Sequence, residues 1–149
     1  MFRHLLLPTD GSKLAAKSVK AGVRLAKALG AKVTAVYVAR PYAPVPIDGE
    51  MAMTMPGLSP QDYKRYTTRA ANRALAVAER EAKGAGVRHA SQIVTAQQTH
   101  LGILKAAKTR RCDAIAMASH GRGALGGLLL GSVTTRVLAQ SRLPVVVFR

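Results

Sequence analysis

The sequence predicts an α/β fold: a three-layer open sheet of parallel strands with helices on both faces. Three observations lead there. Short apolar runs alternate along the chain with segments whose apolar residues recur every three or four positions, the pattern of strands interleaved with amphipathic helices. The strand-like runs are apolar throughout rather than at every second residue, as expected of parallel strands buried on both faces. Polar and glycine-rich segments follow two of the strands, T-D-G-S after the first and S-H-G-R-G after the fourth. In open sheets of this kind ligands bind beyond the carboxyl ends of the strands, where the strand order reverses.

Leu5 to Leu7 reads as the first strand, running into the turn Pro8-Thr9-Asp10-Gly11-Ser12. Ser12 to Leu29 reads as a helix, with Ala15, Val19, Val23, Ala26 and Leu29 on one face and Gly30 as its stop. Lys13, Lys17, Lys20, Arg24 and Lys27 form a basic stripe away from that face. Val33 to Val38 is the second strand. Arg40 to Leu58 is a loop holding Pro41, Pro44, Pro46 and Pro56, and its length leaves a lid, an interface segment or disorder open. Ser59-Pro60-Gln61-Asp62 is a helix start: a capping serine, proline at the first helical position and an acid in the first turn. That helix runs to about Lys83, where Gly84 and Gly86 end it. Gln92 to Thr95 is the third strand, Leu101 to Lys108 a short helix and Ala114 to Ala118 the fourth strand. Ser132 to Gln140 is the last helix and Leu143 to Phe148 the fifth strand.

A chain of 149 residues with 48% apolar residues is expected to form one domain over residues 1–149 with one core. Cys112 is the only cysteine, which excludes an intrachain disulfide framework and fits a reducing cytoplasm. It opens an apolar run and reads as a buried structural thiol. The leucine run near the N-terminus is too short for a signal peptide, and no apolar run reaches the ~20 residues of a membrane span, so a cytoplasmic protein is expected. The formal charge of +16, from 23 Lys and Arg against 7 Asp and Glu, points to an anionic partner. Nucleic acid, anionic lipid and nucleotide phosphate all fit that charge. With few aromatics and no reader motif, no sequence-specific nucleic-acid recognition is expected.

The segment Met117 to Val133, M-A-S-H-G-R-G-A-L-G-G-L-L-L-G-S-V, reads as a strand end, a glycine-rich loop and a helix start. A helix N-terminus presents backbone N–H groups without intrahelical partners and the positive end of the helix dipole; glycines let that backbone approach a ligand. Together they make an anion site, most often for phosphate. Gly121 to Gly126 matches G-x-G-x-x-G, but no Asp or Glu follows Asp113 to hold a ribose, so a dinucleotide site is not expected. A Walker-type loop fails too, because no Lys-Ser or Lys-Thr follows the glycines. His120 has no Ser-His-Asp set around it and reads as a loop-positioning or solvated histidine. His4, His89 and His100 lack metal-ligand spacing.

Gly121, nine residues and then Gly131-Ser132 resemble the nucleotide-binding signature G-x2-G-x9-G-[ST] of the universal stress protein family. L-L-L-P-T-D-G-S at the start, A-L-G-A-K-V-T-A-V-Y-V at the second strand and S-R-L-P-V-V-V at the end extend the resemblance over the whole chain. It implies a Rossmann-like sheet of five strands in the order 3-2-1-4-5 and a stress-response regulator that binds ATP with Mg²⁺. It also implies a homodimer, here through the apolar C-terminal strand. By position, Pro8, Thr9 and Asp10 would line the adenosine side, and Val38 would offer backbone atoms to the adenine. Ala118 would sit near the ribose. Gly121, Arg122, Gly131, Ser132 and Val133 would surround the phosphates, the Ser132 hydroxyl serving as donor or metal contact. Gly11, Ser12, Met117, Ser119, Gly123 and Thr134 complete the candidate set. The chain departs from the signature at Ala118, where the first glycine is expected. That leaves an alternative open: a dimeric interaction protein of the same fold that binds no nucleotide. Apart from Asp10, no carboxylate is placed to activate water near the phosphates, so any ATP hydrolysis is expected to be slow.

Overall fold

A computed structural model describes residues 1–42, 59–120 and 130–149. Its elements run β1 (His4–Pro8), α1 (Lys13–Leu29), β2 (Lys32–Ala39), α2 (Pro60–Ala85), β3 (His89–Thr95), α3 (Thr99–Thr109), β4 (Ala114–Ala118), α4 (Ser132–Gln140) and β5 (Val145–Phe148). The five strands form one parallel sheet in the order β3-β2-β1-β4-β5, as expected. The order reverses between β1 and β4, so the two central strands leave a crevice at their carboxyl ends.

Alternation along each strand feeds two separate cores. Leu5, Leu7, Val33, Ala35, Ala114 and Ala116 face α1 and α2, meeting Val19, Val23, Leu75 and Ala78. Leu6, Val36, Ile115 and Met117 face the opposite side, where Ile103 of α3 and Val137 of α4 close over them. α1 lies close because residue 22 is glycine: a Cβ there would come within 2.5 Å of a Leu7 methyl. β1 and β4 are buried at every residue.

Local chemistry sets the helix ends. The Ser12 hydroxyl accepts from the Ala15 N–H at 3.1 Å, and Ser59 does the same for Asp62 at 3.1 Å. α1 and α2 stop where Gly30 and Gly86 turn left-handed, at φ +64° and +69°, which a side chain would strain.

Boundaries differ from the sequence reading by two or more residues at four places. α2 passes through Gly84 and ends at Ala85, because only Gly86 adopts the left-handed cap. β3 begins at His89 rather than Gln92: it is an edge strand, largely exposed, and pairs with β2 through residues that form no apolar run. α3 starts two residues early, at Thr99. β5 starts at Val145, since the Ser141 hydroxyl accepts from the Leu143 N–H and donates to the Leu143 carbonyl, holding that residue in a turn. The Pro- and Met-containing stretch 43–58 and residues 121–129 lie outside the described residues.

Two buried titratable groups give measurable signatures. The Nε2 of His4 lies 2.8 Å from the Thr34 hydroxyl, and the Asp113 carboxylate accepts from the backbone N–H groups of Arg3 and His4. Burial, aided by the Lys32 charge, holds the His4 pKa below its ordinary value of 6.5. A depressed histidine pKa means that the unfolded chain takes up the proton first. Stability is therefore expected to be full above about pH 6.5 and to fall as acidification proceeds from there to the lower folded value. The slope from this one proton is at most about 1.4 kcal/mol per pH unit. Urea midpoints between pH 5 and 8 should show it, and His4→Gln should reduce it. Burial also pushes the Cys112 thiol up to about 11. Iodoacetamide at pH 8 should leave Cys112 unmodified in the native protein and alkylate it rapidly in denaturant; rapid native alkylation would contradict this placement.

Candidate functional site

The crevice is walled by the segments leaving β1 and β4. Past Pro8, Thr9 is buried and its N–H donates to the Val36 carbonyl at 2.9 Å. Asp10 then folds the chain back: its Oδ1 accepts from the Ser12 N–H at 2.9 Å. Gly11 takes φ +79° and donates to the Thr9 hydroxyl at 3.2 Å. Ser12 caps α1, so its hydroxyl oxygen is already an acceptor within the fold.

On the other wall, Met117 and Ala118 end β4 and are buried. Ala118 pairs with Phe148 in extended backbone, and Arg111 alone among the described non-glycine residues has a positive φ. The methyl group of Ala118 therefore costs no backbone strain, although the signature has glycine there. Ser119 is a junction. Its N–H donates to the Phe148 carbonyl at 2.8 Å, its carbonyl accepts from the Gly131 N–H at 2.8 Å, and its hydroxyl lies 3.0 Å from Nδ1 of His120.

Gly131 is the N-cap of α4, and no side chain of the described residues caps the helix. The first intrahelical bond is Thr135 N–H to the Gly131 carbonyl. The N–H groups of Ser132, Val133 and Thr134 thus have no partner inside the helix. Ser132 is exposed and Val133 half-buried. Thr134 is buried, and its hydroxyl donates to the Ala118 carbonyl at 2.9 Å. Its side chain ties helix to strand, leaving only its backbone for a ligand.

Val38 belongs to the same opening. The β1–β2 register pairs Pro8 with Val36, and β1 has ended by the level of Val38. The Val36 carbonyl faces β1 while the Ala39 carbonyl faces β3, where it accepts from Ala96. The backbone groups of Val38 accordingly face the side that β1 has left. Gly102 of α3 lies beneath: a Cβ there would come within 2.6 Å of Val38 Cγ1 and 3.1 Å of Ala96 Cβ. The sequence reading missed Gly102, as well as the tie from Ser119 to Phe148. A helical glycine at a close approach was the one signal available.

The structure thus brings Pro8, Thr9, Asp10, Gly11, Ser12, Val38, Met117, Ala118, Ser119, Gly131, Ser132, Val133 and Thr134 to one end of the sheet. Gly121, Arg122 and Gly123 lie outside the described residues. Among the described residues no group of three or more His, Cys, Asp or Glu could hold a metal ion, and no helix is long and apolar enough to cross a membrane.

Known proteins match the whole chain. The family model described as "Universal stress protein family" covers residues 1–149. The chain is 30% identical to a Thermus aquaticus protein named "Universal stress protein in QAH/OAS sulfhydrylase 3'region", over all of both chains. The solved structure of hypothetical protein MJ0577 superposes with a TM-score of 0.77 at 27% identity, covering 99% of this chain and 95% of that one. A universal stress protein solved in complex with cAMP shares the fold, with a TM-score of 0.67 at 23% identity over 99% and 97% of the two chains. With these likenesses and the five-stranded sheet described above, the chain belongs to the universal stress protein family.

Proposed function

We propose that this protein is a cytoplasmic stress-response regulator that binds ATP with Mg²⁺ in the crevice between the β1 and β4 loops. The observation that carries the reading is the uncapped N-terminus of α4 at the reversal of strand order. Three backbone donors and the positive end of the helix dipole suit a polyphosphate. The adenine would lie against the Val38 backbone, and the ribose between Ala118 and Asp10. Asp10 and the Ser132 hydroxyl are the groups that could reach a phosphate-bound Mg²⁺. The nucleotide complex of the cAMP-bound relative supports an adenine ligand for this fold. Asp10 is the only carboxylate on the two loops, residues 9–12 and 119–131, so turnover of bound ATP is slow.

Calorimetric titration of the purified protein with MgATP tests this. Saturable one-site binding at or below millimolar ATP is expected; no heat at millimolar ATP would sink it. The second reading, a dimeric interaction protein with an empty pocket, draws on Ala118. If Ala118→Gly binds ATP where the native chain does not, that reading replaces the first. Because Ala118 sits in extended backbone, Ala118→Gly is expected to change affinity less than tenfold. Homodimerisation through β5 fits its place at the sheet edge with four half-buried apolar residues.

A further inference from the structure

The α1–α2 side of the sheet carries a second, larger complement to anions. Lys13, Lys17, Lys20, Arg24 and Lys27 are all exposed on α1, within a narrow arc opposite the buried Ala15, Val19, Gly22 and Ala26. The Cβ atoms of successive cations sit about 5–6 Å apart, as those of neighbours three or four residues apart on a helix do. The row is about 21 Å long at 1.5 Å per residue. α1 contains no Asp or Glu. α2 packs beside it over the same core, through Leu75, Ala78 and Ala82.

The outward side of α2 continues the charge. Asp62 pairs with Arg65 and Glu79 with Lys83, so acids occupy the two ends. Arg69 and Arg73 lie between them and Arg80 just past Glu79; all three are exposed and form no ion pair among the described residues. Glu81 sits half-buried on the flank. Of the remaining acids, Asp10 precedes α1 on the crevice loop, Asp113 lies on the loop before β4, and Asp48 and Glu50 lie outside the described residues. Tyr66, 64% exposed, stands one turn before Arg69.

We propose that the α1–α2 face binds nucleic acid through its phosphate backbone, without sequence preference. Duplex DNA presents one charge per about 1.7 Å, so the α1 row spans roughly a dozen phosphates. An arginine-flanked exposed tyrosine suits stacking on an unpaired base. A lipid surface would call for large apolar side chains to insert, and α1 exposes none. Lys13 follows the crevice residue Ser12, but Lys17, Lys20, Arg24 and Lys27 lie along α1 beyond the ATP crevice, so either site can fail without the other.

The test is fluorescence anisotropy of the full chain with two unrelated labelled 20-mers, each as duplex and as single strand, from 50 to 200 mM NaCl. Expected are equal affinities for the two sequences and a linear fall of log K with log salt. Lys17→Gln/Lys20→Gln/Arg24→Gln should weaken binding about tenfold or more at 50 mM salt and flatten the slope by about 2–3. Lys105→Gln/Lys108→Gln/Arg142→Gln removes the same charge from other surfaces and should stay within about twofold of native. Tyr66→Ala should weaken single-strand binding about tenfold and spare the duplex. Equal losses in the two triple variants, binding insensitive to salt, or tighter binding to phosphatidylserine-containing vesicles than to DNA would overturn the proposal. Far-ultraviolet circular dichroism and thermal melts of each variant confirm that the fold is intact.

Discussion

Gly131→Asp is expected to weaken ATP binding by about 2–4 kcal/mol, roughly 30- to 1,000-fold, while leaving the fold as stable or slightly more so. The opposite signs come from one position. Gly131 caps α4 with φ −62° and ψ 151°, a conformation open to any residue. An aspartate there accepts from the first-turn N–H groups and gains from the dipole, a few tenths to about 1 kcal/mol. The same carboxylate occupies the donors that phosphate would use and repels what remains of it. At 4–8 Å and an effective dielectric near 20, that repulsion is about 2–4 kcal/mol. Gly131→Asn keeps the cap without the charge and should lose less. Calorimetry and thermal melts on the three proteins decide it. Unchanged ATP affinity in Gly131→Asp would show that the phosphates are bound elsewhere.

Val137→Ala is expected to lower unfolding free energy by about 2–3 kcal/mol and the Tm by about 5–10 °C. α4 has only two buried residues, Thr134 and Val137. Val137 is fully buried among the α3 and β4 side chains. Two lost methyl groups account for about 1.6 kcal/mol, and the cavity adds the rest. Alanine favours helix, so local propensity would partly offset the loss rather than cause it. Leu138, the next residue, is 40% exposed, and Leu138→Ala should stay within about 0.5 kcal/mol. ATP affinity should fall with Val137→Ala and not with Leu138→Ala, because the buried anchor fixes where the donors point. Equal effects of the two substitutions would contradict this account.

What could be read from the sequence was what residue types encode. Leu5 to Leu7 and Ala114 to Ala118 are buried on both faces, so their apolar runs marked β1 and β4 directly. Ser59-Pro60 marked the start of α2 because capping there depends on side-chain chemistry, whereas α4 starts at Gly131-Ser132 without a side-chain cap among the described residues. The first half of β3 was invisible, since an edge strand needs no apolar partner on its open side and His89, Ala90 and Ser91 form no pattern. Gly84 looked like a stop, yet an exposed helix tolerates one glycine at about 1 kcal/mol; the stop belongs to whichever glycine turns left-handed. In the site, Thr134 belongs to the candidate set. Its hydroxyl is engaged with Ala118, a partner sixteen residues away that the sequence does not reveal, and its backbone N–H is what a ligand could use. The ties made by Ser119 are backbone bonds, which leave no trace in residue identity.

Those ties carry a thermodynamic consequence. The chain of contacts from α4 to the outer strand is two hydrogen bonds long: Gly131 N–H to the Ser119 carbonyl, and Ser119 N–H to the Phe148 carbonyl. Phe148 lies on β5, at the open margin of the sheet. Whatever free energy links occupancy at Gly131 to pairing along that margin must act equally in both directions. If a second chain docked on β5 sharpened the affinity at the helix tip by some factor, nucleotide would tighten the docking by the same factor. Measuring either one gives the other.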